Sequence, residues 1–101
     1  MARRICITVP RALRQIADIR AWWRKNREKA PRAFDEDFDE AVDLLYKQPE
    51  AGVVVGRTRG GVRTRRIFLE RVRYYIYYQV TPNAIFIVAV IQAARRPPRG
   101  L

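Results

Sequence analysis

The second half of the chain contains three consecutive runs rich in β-branched and aromatic residues, and this pattern constrains the fold most strongly. The runs cover Val62–Leu69, Val72–Val80 and Ala84–Ile91, and such runs between turn residues are typical of β-strands. The turn Thr81–Asn83 carries proline at its favoured second position. Because the connections are short, an antiparallel meander is predicted. Ala84–Ile91 is apolar on both faces, which predicts a central strand buried on both sides.

The first half of the chain predicts a short strand followed by two helices. The strand is Ile5–Thr8, and Thr8 is a candidate N-cap for a helix over Pro10–Glu28. Pro31 separates this helix from a second one, which ends at Pro49. The apolar residues of the second helix recur at helical spacing and form one stripe: Phe34, Phe38, Ala41, Val42 and Leu45. Two helices joined so closely are expected to form an antiparallel hairpin.

These elements predict an α+β protein of order β-α-α-β-β-β, with a mainly antiparallel sheet and a helical hairpin packed on one face. A chain of 101 residues is expected to form one domain over residues 1–101. The glycine-rich segment after the second helix contains a further candidate edge strand at Val53–Val55. The N-terminal strand must pair within the sheet, but the pattern does not determine its neighbour.

The positive charge of the chain is concentrated in its second half. The net charge is +11, and residues 51–101 contain ten arginines but only one acidic residue, Glu70. Residues 1–50 contain eleven Lys and Arg against nine Asp and Glu. A field of this kind attracts polyanions such as nucleic acid, the ribosome or an acidic protein.

Several classes of function are disfavoured by what the sequence contains. The longest apolar run, Ala84–Ile91, is far shorter than the roughly 20 residues that span a membrane. The start of the chain, Met1–Ile5, lacks the apolar run of a signal peptide, so a cytoplasmic protein is expected. Cys6 is the only cysteine and there is no histidine, so we expect no metal and no cofactor.

The aromatic residues of the predicted strands and helices allow either packing or binding. Strand alternation places two of the four tyrosines at 74, 75, 77 and 78 on each sheet face, where packing is the expected role. Trp22 and Trp23 are adjacent on a helix and point in different directions. One of them is expected in the core, and the other is a candidate interface anchor.

The ordered set of elements resembles the RelE/ParE toxins of type II toxin–antitoxin systems. The resemblance rests on the early helical hairpin, the break at Pro49–Gly52, the stretch Gly61–Arg66 leading to Arg73–Tyr78, and the apolar last strand running into Arg95-Arg96. It implies a toxin that is neutralised by a cognate antitoxin and forms a hetero-oligomer with it. An acidic antitoxin arm would suit a strongly basic toxin.

The superfamily divides into RelE-like nucleases, which cleave mRNA in the ribosome, and ParE-like toxins, which act on DNA gyrase. The resemblance places the basic pair of the nucleases on Arg66 and Phe68, so only half of that pair is present. Their next-strand arginine falls on Tyr75, their last-strand arginine on Arg95, and the tail contains no tyrosine. Because cleavage needs groups that move protons, the ParE-like branch is favoured.

Three functions therefore remain open, and all three use basic or aromatic side chains. The first is a ParE-like toxin that inhibits DNA gyrase by protein binding and is not itself an enzyme. The second is a ribosome-dependent mRNA endonuclease that uses Arg66, Tyr75 and Arg95. The third is a non-toxic, basic nucleic-acid-binding module. The residues expected to bind the antitoxin or the target are Arg63, Arg65, Arg66, Arg73, Arg95, Arg96 and Trp22.

Overall fold

The computed structural model describes residues 4–94 as two helices and five strands. In chain order the elements are β1 (Ile5–Thr8), α1 (Pro10–Asn26), α2 (Ala33–Lys47), β2 (Val53–Arg57), β3 (Arg63–Leu69), β4 (Tyr74–Val80) and β5 (Ala84–Gln92).

The five strands form one sheet in the order β1-β5-β4-β3-β2. From β2 to β5, each strand pairs antiparallel with the next strand along the chain, as the short connections predicted. Strand β1 instead pairs parallel with β5 at one edge of the sheet. The α+β class and the mainly antiparallel sheet are thus confirmed. The candidate strand at Val53–Val55 is a true edge strand, β2, so the predicted order β-α-α-β-β-β lacked one strand.

The predicted helix cap at Thr8 is wrong because strand pairing continues to the start of the helix. Thr8 is the last residue of β1 and lies opposite Ile87. Val9 occupies the N-cap position without a side-chain hydrogen bond, and its backbone N–H donates to the Ile87 carbonyl at 3.0 Å. Pro10 then starts α1, where the missing N–H removes no helical hydrogen bond.

Both helices are slightly shorter at their junction than the sequence predicts. The first ends at Asn26, two residues before the predicted Glu28, and the second starts at Ala33, two residues after Pro31. Two backbone hydrogen bonds span the connection. The Ala30 N–H donates to the Arg27 carbonyl, and the Ala33 N–H donates to the Ala30 carbonyl. This compact connection keeps α1 and α2 side by side.

The main core lies between the two helices and one face of the sheet. Ala12 and Ile16 of α1 and Phe34 of α2 are buried there against β4 and β5. The Phe34 ring meets the Tyr74 ring edge-on at 5.4 Å between centroids. Each large apolar side chain buried in this way stabilises the fold by about 1.5–3 kcal/mol.

Alternation along β4 divides its four tyrosines between the two faces, as predicted. Tyr74 and Tyr78 pack on the helix side, whereas Tyr75 and Tyr77 pack on the opposite side. The division holds even though an irregularity in the β4–β5 pairing falls between Tyr77 and Tyr78.

Tyr78 fixes the turn that follows α2. Its hydroxyl accepts a hydrogen bond from the Gly52 N–H and donates one to the Pro49 carbonyl, both at 2.8 Å. A Cβ atom at Gly52 would lie 2.6 Å from the Arg66 carbonyl oxygen and 2.7 Å from the Tyr78 hydroxyl oxygen. Only glycine therefore fits where this turn passes over the sheet.

Side chains of α1 cap the part of the β5 edge that β1 does not reach. The β1 pairing covers β5 only as far as Ile87. Beyond it, the Arg11 guanidinium donates to the Val88 carbonyl at 3.1 Å, and the Gln15 side-chain oxygen accepts from the Val90 N–H at 2.8 Å. These bonds satisfy edge groups that would otherwise be free to pair with another strand.

No helix within residues 4–94 is long and apolar enough to cross a membrane.

Candidate partner-binding surfaces

The sheet face opposite the helices carries a partly exposed cluster of three aromatic rings and one guanidinium. We call this surface the open face; its polar and aromatic members are Arg66 and Phe68 of β3 and Tyr75 and Tyr77 of β4. Strand register explains the cluster, because Arg66 lies directly opposite Tyr77, and Phe68 directly opposite Tyr75. Alternation then directs all four side chains to the same side of the sheet.

Cation–π and aromatic contacts order the side chains of the open face. The Arg66 guanidinium carbon lies 4.1 Å from the centroid of the Tyr75 ring, and an Arg66 N–H donates to the Tyr77 hydroxyl at 3.4 Å. The Tyr75 ring packs against the Phe68 ring with centroids 5.0 Å apart. Phe68 nevertheless stays 37% exposed, so the cluster presents a preordered cation beside an accessible ring.

Along β5, the open face is apolar. Tyr77, Val88 and Ala89 are buried in a small cluster on this side, with Phe86 and Ile91 packed against it. The half-exposed Phe68 ring beside one ordered guanidinium is suited to contact with a protein or to stacking on a base.

Within residues 4–94, the predicted arginines do not form one continuous patch. Arg65 lies on the helix side of the sheet, where its guanidinium donates to the Gly52 carbonyl at 2.8 Å. Arg63 and Arg65 line a shallow depression near Thr81, whereas Arg66 belongs to the open face. The alternation of strand residues explains this division, and it gives Arg65 a structural contact in addition to any binding role.

Arg73 occupies a strained turn between β3 and β4. Its φ of 66° is the only positive value at a non-glycine residue within residues 4–94, and this region costs a side-chain-bearing residue roughly 1–2 kcal/mol. The Arg73 N–H donates to the Leu69 carbonyl at 2.7 Å, and the Arg73 carbonyl accepts from the Ala93 N–H at 2.9 Å. The guanidinium lies 5.4 Å from the Phe68 ring, at the border of the open face.

The acidic residues of α2 neutralise part of the basic charge. The Arg71 guanidinium contacts Asp37 at 2.6 Å and Glu36 at 3.2 Å, and these hydrogen bonds raise the pKa of Arg71. Arg20 of α1 pairs with Asp35 in the same way. Arg71 therefore joins the β3–β4 turn to α2, and its charge is not free for a partner. Within residues 4–94, no three Asp, Glu or Cys side chains converge as a metal-binding group.

A cleft lies at the end of the sheet between α1 and the β3–β4 turn. We call it the end cleft; it has a volume of 670 Å³. Trp22 and Trp23 line it from α1, Arg73 from the turn, and Ile91 from β5. Trp22 is 44% exposed, whereas Trp23 packs against the main core, so the two indoles divide between surface and core as predicted.

Several groups of the end cleft were not predicted as site residues. Arg27, one turn after the tryptophans, places its guanidinium 5.1 Å from the Trp22 ring and 5.9 Å from the Trp23 ring. Its spacing from Trp23, four residues within the helix predicted over Pro10–Glu28, is a signal that could have identified it. No local pattern could have shown that Ile91 and Arg73 complete the same cleft, because they come from distant parts of the chain.

The described residues provide little for proton-transfer chemistry. None of the five described strands contains Asp, Glu or His. The partly buried Cys6 thiol has its pKa raised by desolvation, which disfavours the nucleophilic thiolate. Arg66 and Tyr75, two of the three residues required for the nuclease hypothesis, do meet on the open face. The third, Arg95, and the expected binding residue Arg96 lie outside the described residues.

The hairpin of helices on one face of a five-stranded, mainly antiparallel sheet is an α+β arrangement of the RelE/ParE type. Residues 7–97 match the family described as the ParE toxin of type II toxin–antitoxin system, parDE. The chain therefore belongs to the ParE toxin family, whose members have a cognate antitoxin as partner. No curated protein matches the chain.

Proposed function

We propose that this protein inhibits DNA gyrase by binding it through the open face, and that a cognate antitoxin neutralises it. The observation that carries the proposal is the composition of the sheet: its open face joins Arg66 to an exposed aromatic surface, and none of the described strands holds a carboxylate or imidazole. Because gyrase is a cytoplasmic enzyme, we also place the action of this protein in the cytoplasm.

Membership of the ParE family supports this proposal over an unrelated nucleic-acid-binding role. The arrangement of the open face is suited to recognition by contact. Interfaces of proteins are enriched in arginine and aromatic side chains at their centres, and Arg66, Phe68 and Tyr75 provide both kinds within one cluster.

A second candidate function, ribosome-dependent mRNA cleavage, has one observation in its favour. Arg66 and Tyr75 are in contact, and an arginine beside a tyrosine could stabilise the charge that develops on a cleaved phosphate. The cluster contains no carboxylate or imidazole, the groups that most often transfer protons in general acid–base cleavage.

Inducible expression in bacteria, with mRNA integrity and plasmid supercoiling followed in one culture, separates the two functions. We expect arrested growth and loss of negative supercoiling with intact mRNA. Phe68→Ala should relieve the arrest, since it removes an exposed ring from the open face. Val54→Ala, at a similarly exposed residue of the edge strand β2, should retain it.

The outcome that would refute the gyrase proposal is codon-positioned cleavage of mRNA while supercoiling stays normal. Equal toxicity of the Phe68→Ala and Val54→Ala variants would refute the assignment of the open face. Co-expression of the cognate antitoxin should restore growth of each strain whose growth the native chain or a variant arrests.

A further inference from the structure

The end cleft brings together the two adjacent tryptophans of α1, Trp22 and Trp23. The chain has two tryptophans, and both line this cleft. Their rings meet edge-on with centroids 5.7 Å apart, and the Arg27 guanidinium contacts both. One wall is thus formed by two indoles and a guanidinium in mutual contact, and the other by Val72, Val90 and Ile91.

One hydrogen-bond donor in the cleft walls lacks an acceptor within the described part of the chain. The Trp23 Nε1–H group is buried and has no hydrogen-bond partner among residues 4–94. A buried donor without an acceptor is destabilising, so such a group marks a place where an acceptor from outside would be bound favourably. Trp23 is the only residue whose buried side-chain polar atom is in this state among those described.

The charge of the cleft is also unbalanced. Arg27 and Arg73 take part in no ion pair within the described chain, in contrast to Arg71, whose charge is taken up by Asp37 and Glu36. The lining contains a single carboxylate, Asp18. Two guanidiniums that form no ion pair within the described chain, and one indole N–H, lie near an apolar wall and are suited to a carboxylate that carries an apolar neighbour.

The backbone beside the cleft is not available for strand addition. Arg11 and Gln15 already bond the edge groups of Val88 and Val90. A ligand must therefore insert side chains between the indoles and β5, and cannot simply extend the sheet.

We propose that the end cleft binds an acidic segment of the antitoxin, in which an apolar side chain enters the cleft and a neighbouring carboxylate accepts from Trp23 Nε1–H and from Arg27 or Arg73. This inference rests on the proposed function and names the chemistry of the segment that neutralises the toxin. A nucleic acid fits less well, because the Arg27 guanidinium already covers the Trp22 ring on which a base would stack.

Nuclear magnetic resonance of the full chain tests this proposal directly, since the indole region of a ¹⁵N spectrum contains only the two cleft tryptophans. The probe is a blocked peptide of sequence Asp-Glu-Leu-Phe-Asp-Glu, and its matched control is Asn-Gln-Leu-Phe-Asn-Gln. The acidic peptide should move the Trp23 indole N–H resonance downfield, as hydrogen bonding to a carboxylate does. The neutral peptide should bind at least tenfold more weakly.

Variants of equal net charge separate the cleft from general attraction to a basic protein. Arg27→Gln combined with Arg73→Gln should weaken binding of the acidic peptide at least tenfold. Arg57→Gln combined with Arg59→Gln, at exposed residues outside the cleft, should change it less than twofold. Equal loss in both double variants, or an unmoved Trp23 resonance at saturation, would overturn the proposal.

Two further measurements separate failure of the cleft from failure of the proposed function. If the Arg27/Arg73 double variant remains toxic and is neutralised by its antitoxin as tightly as the native chain, the cleft proposal fails while the toxin function stands. If a single-stranded oligonucleotide moves both indole resonances at lower concentration than the acidic peptide, the cleft is a nucleic-acid site and the proposal is overturned.

Discussion

Replacing Gly52 by alanine should be among the most destabilising single-methyl changes available in this protein. The added Cβ would lie 2.6 Å from the Arg66 carbonyl oxygen, which is backbone and cannot rotate away. It would also lie 2.7 Å and 2.8 Å from the Oη and Cε1 atoms of the buried Tyr78 side chain. Overpacking of this kind costs about 1–3 kcal/mol.

The same change disturbs two hydrogen bonds. The Tyr78 hydroxyl bonds Gly52 and Pro49 at 2.8 Å each, and each such bond contributes about 1 kcal/mol net. We therefore expect the free energy of unfolding to fall by about 3 kcal/mol. For a domain of this size, that corresponds to a drop in Tm of roughly 12–24 °C.

Chemical and thermal denaturation followed by circular dichroism would measure the loss. Gly60→Ala is the matched control, because the nearest atom to its added Cβ is the Thr58 hydroxyl oxygen at 3.8 Å. Tyr78→Phe removes the Oη atom, so Gly52→Ala should cost less in that background than alone. If the free energy of unfolding of Gly52→Ala lies within about 0.5 kcal/mol of the native value, the added Cβ does not overlap the Arg66 carbonyl and Tyr78, since ordinary surface substitutions have effects of that size.

Three further predictions concern the turn that Tyr78 holds, the strained residue Arg73 and the ion pairs of Arg71. Burial raises the pKa of the Tyr78 hydroxyl above its ordinary value, so its contribution to stability is complete below about pH 10 and is lost as the pH rises further; Tyr78→Phe should flatten this part of the pH–stability curve, and parallel curves for both proteins would contradict it. Arg73→Gly should be more stable than Arg73→Ala by about 1 kcal/mol, because only glycine adopts the φ of 66° without strain; a glycine variant that melts below the alanine variant would show that the turn is not strained. Arg71→Gln should lower Tm at low ionic strength and less so at about 1 M salt, where exposed ion pairs are screened; a loss independent of salt would show that Arg71 acts through packing and not through Asp37.

The meander and the helices could be predicted from sequence because their signals are local. The three strands are dense in β-branched and aromatic residues, and the stripe through Phe34 and Phe38 has helical spacing. The pairing of β1 could not be predicted, because a parallel contact between Ile5 and Ala84 depends on chain segments far apart in sequence.

Part of the open face could be predicted from the sequence, whereas the end cleft could not. The period-2 alternation of a strand implies that Arg65 and Arg66 point to opposite faces, so their division could have been anticipated. The pairing of Arg66 with Tyr75 and Tyr77 depends on the register between β3 and β4, which no turn signal fixed. The end cleft joins α1, the β3–β4 turn and β5, and its lining follows only from the packed fold.

Inhibition of gyrase without cleavage of RNA can be measured with purified components. Gyrase would be incubated with relaxed plasmid, the purified protein and ATP, and the supercoiled product would be measured on a gel; ribosomes translating a defined mRNA would be treated with the same preparation. We expect the native protein to abolish supercoiling activity and to leave the mRNA intact. The Phe68→Ala variant should no longer inhibit gyrase, whereas the Val54→Ala variant should inhibit it as the native protein does. Full supercoiling activity together with cleaved mRNA would contradict this expectation.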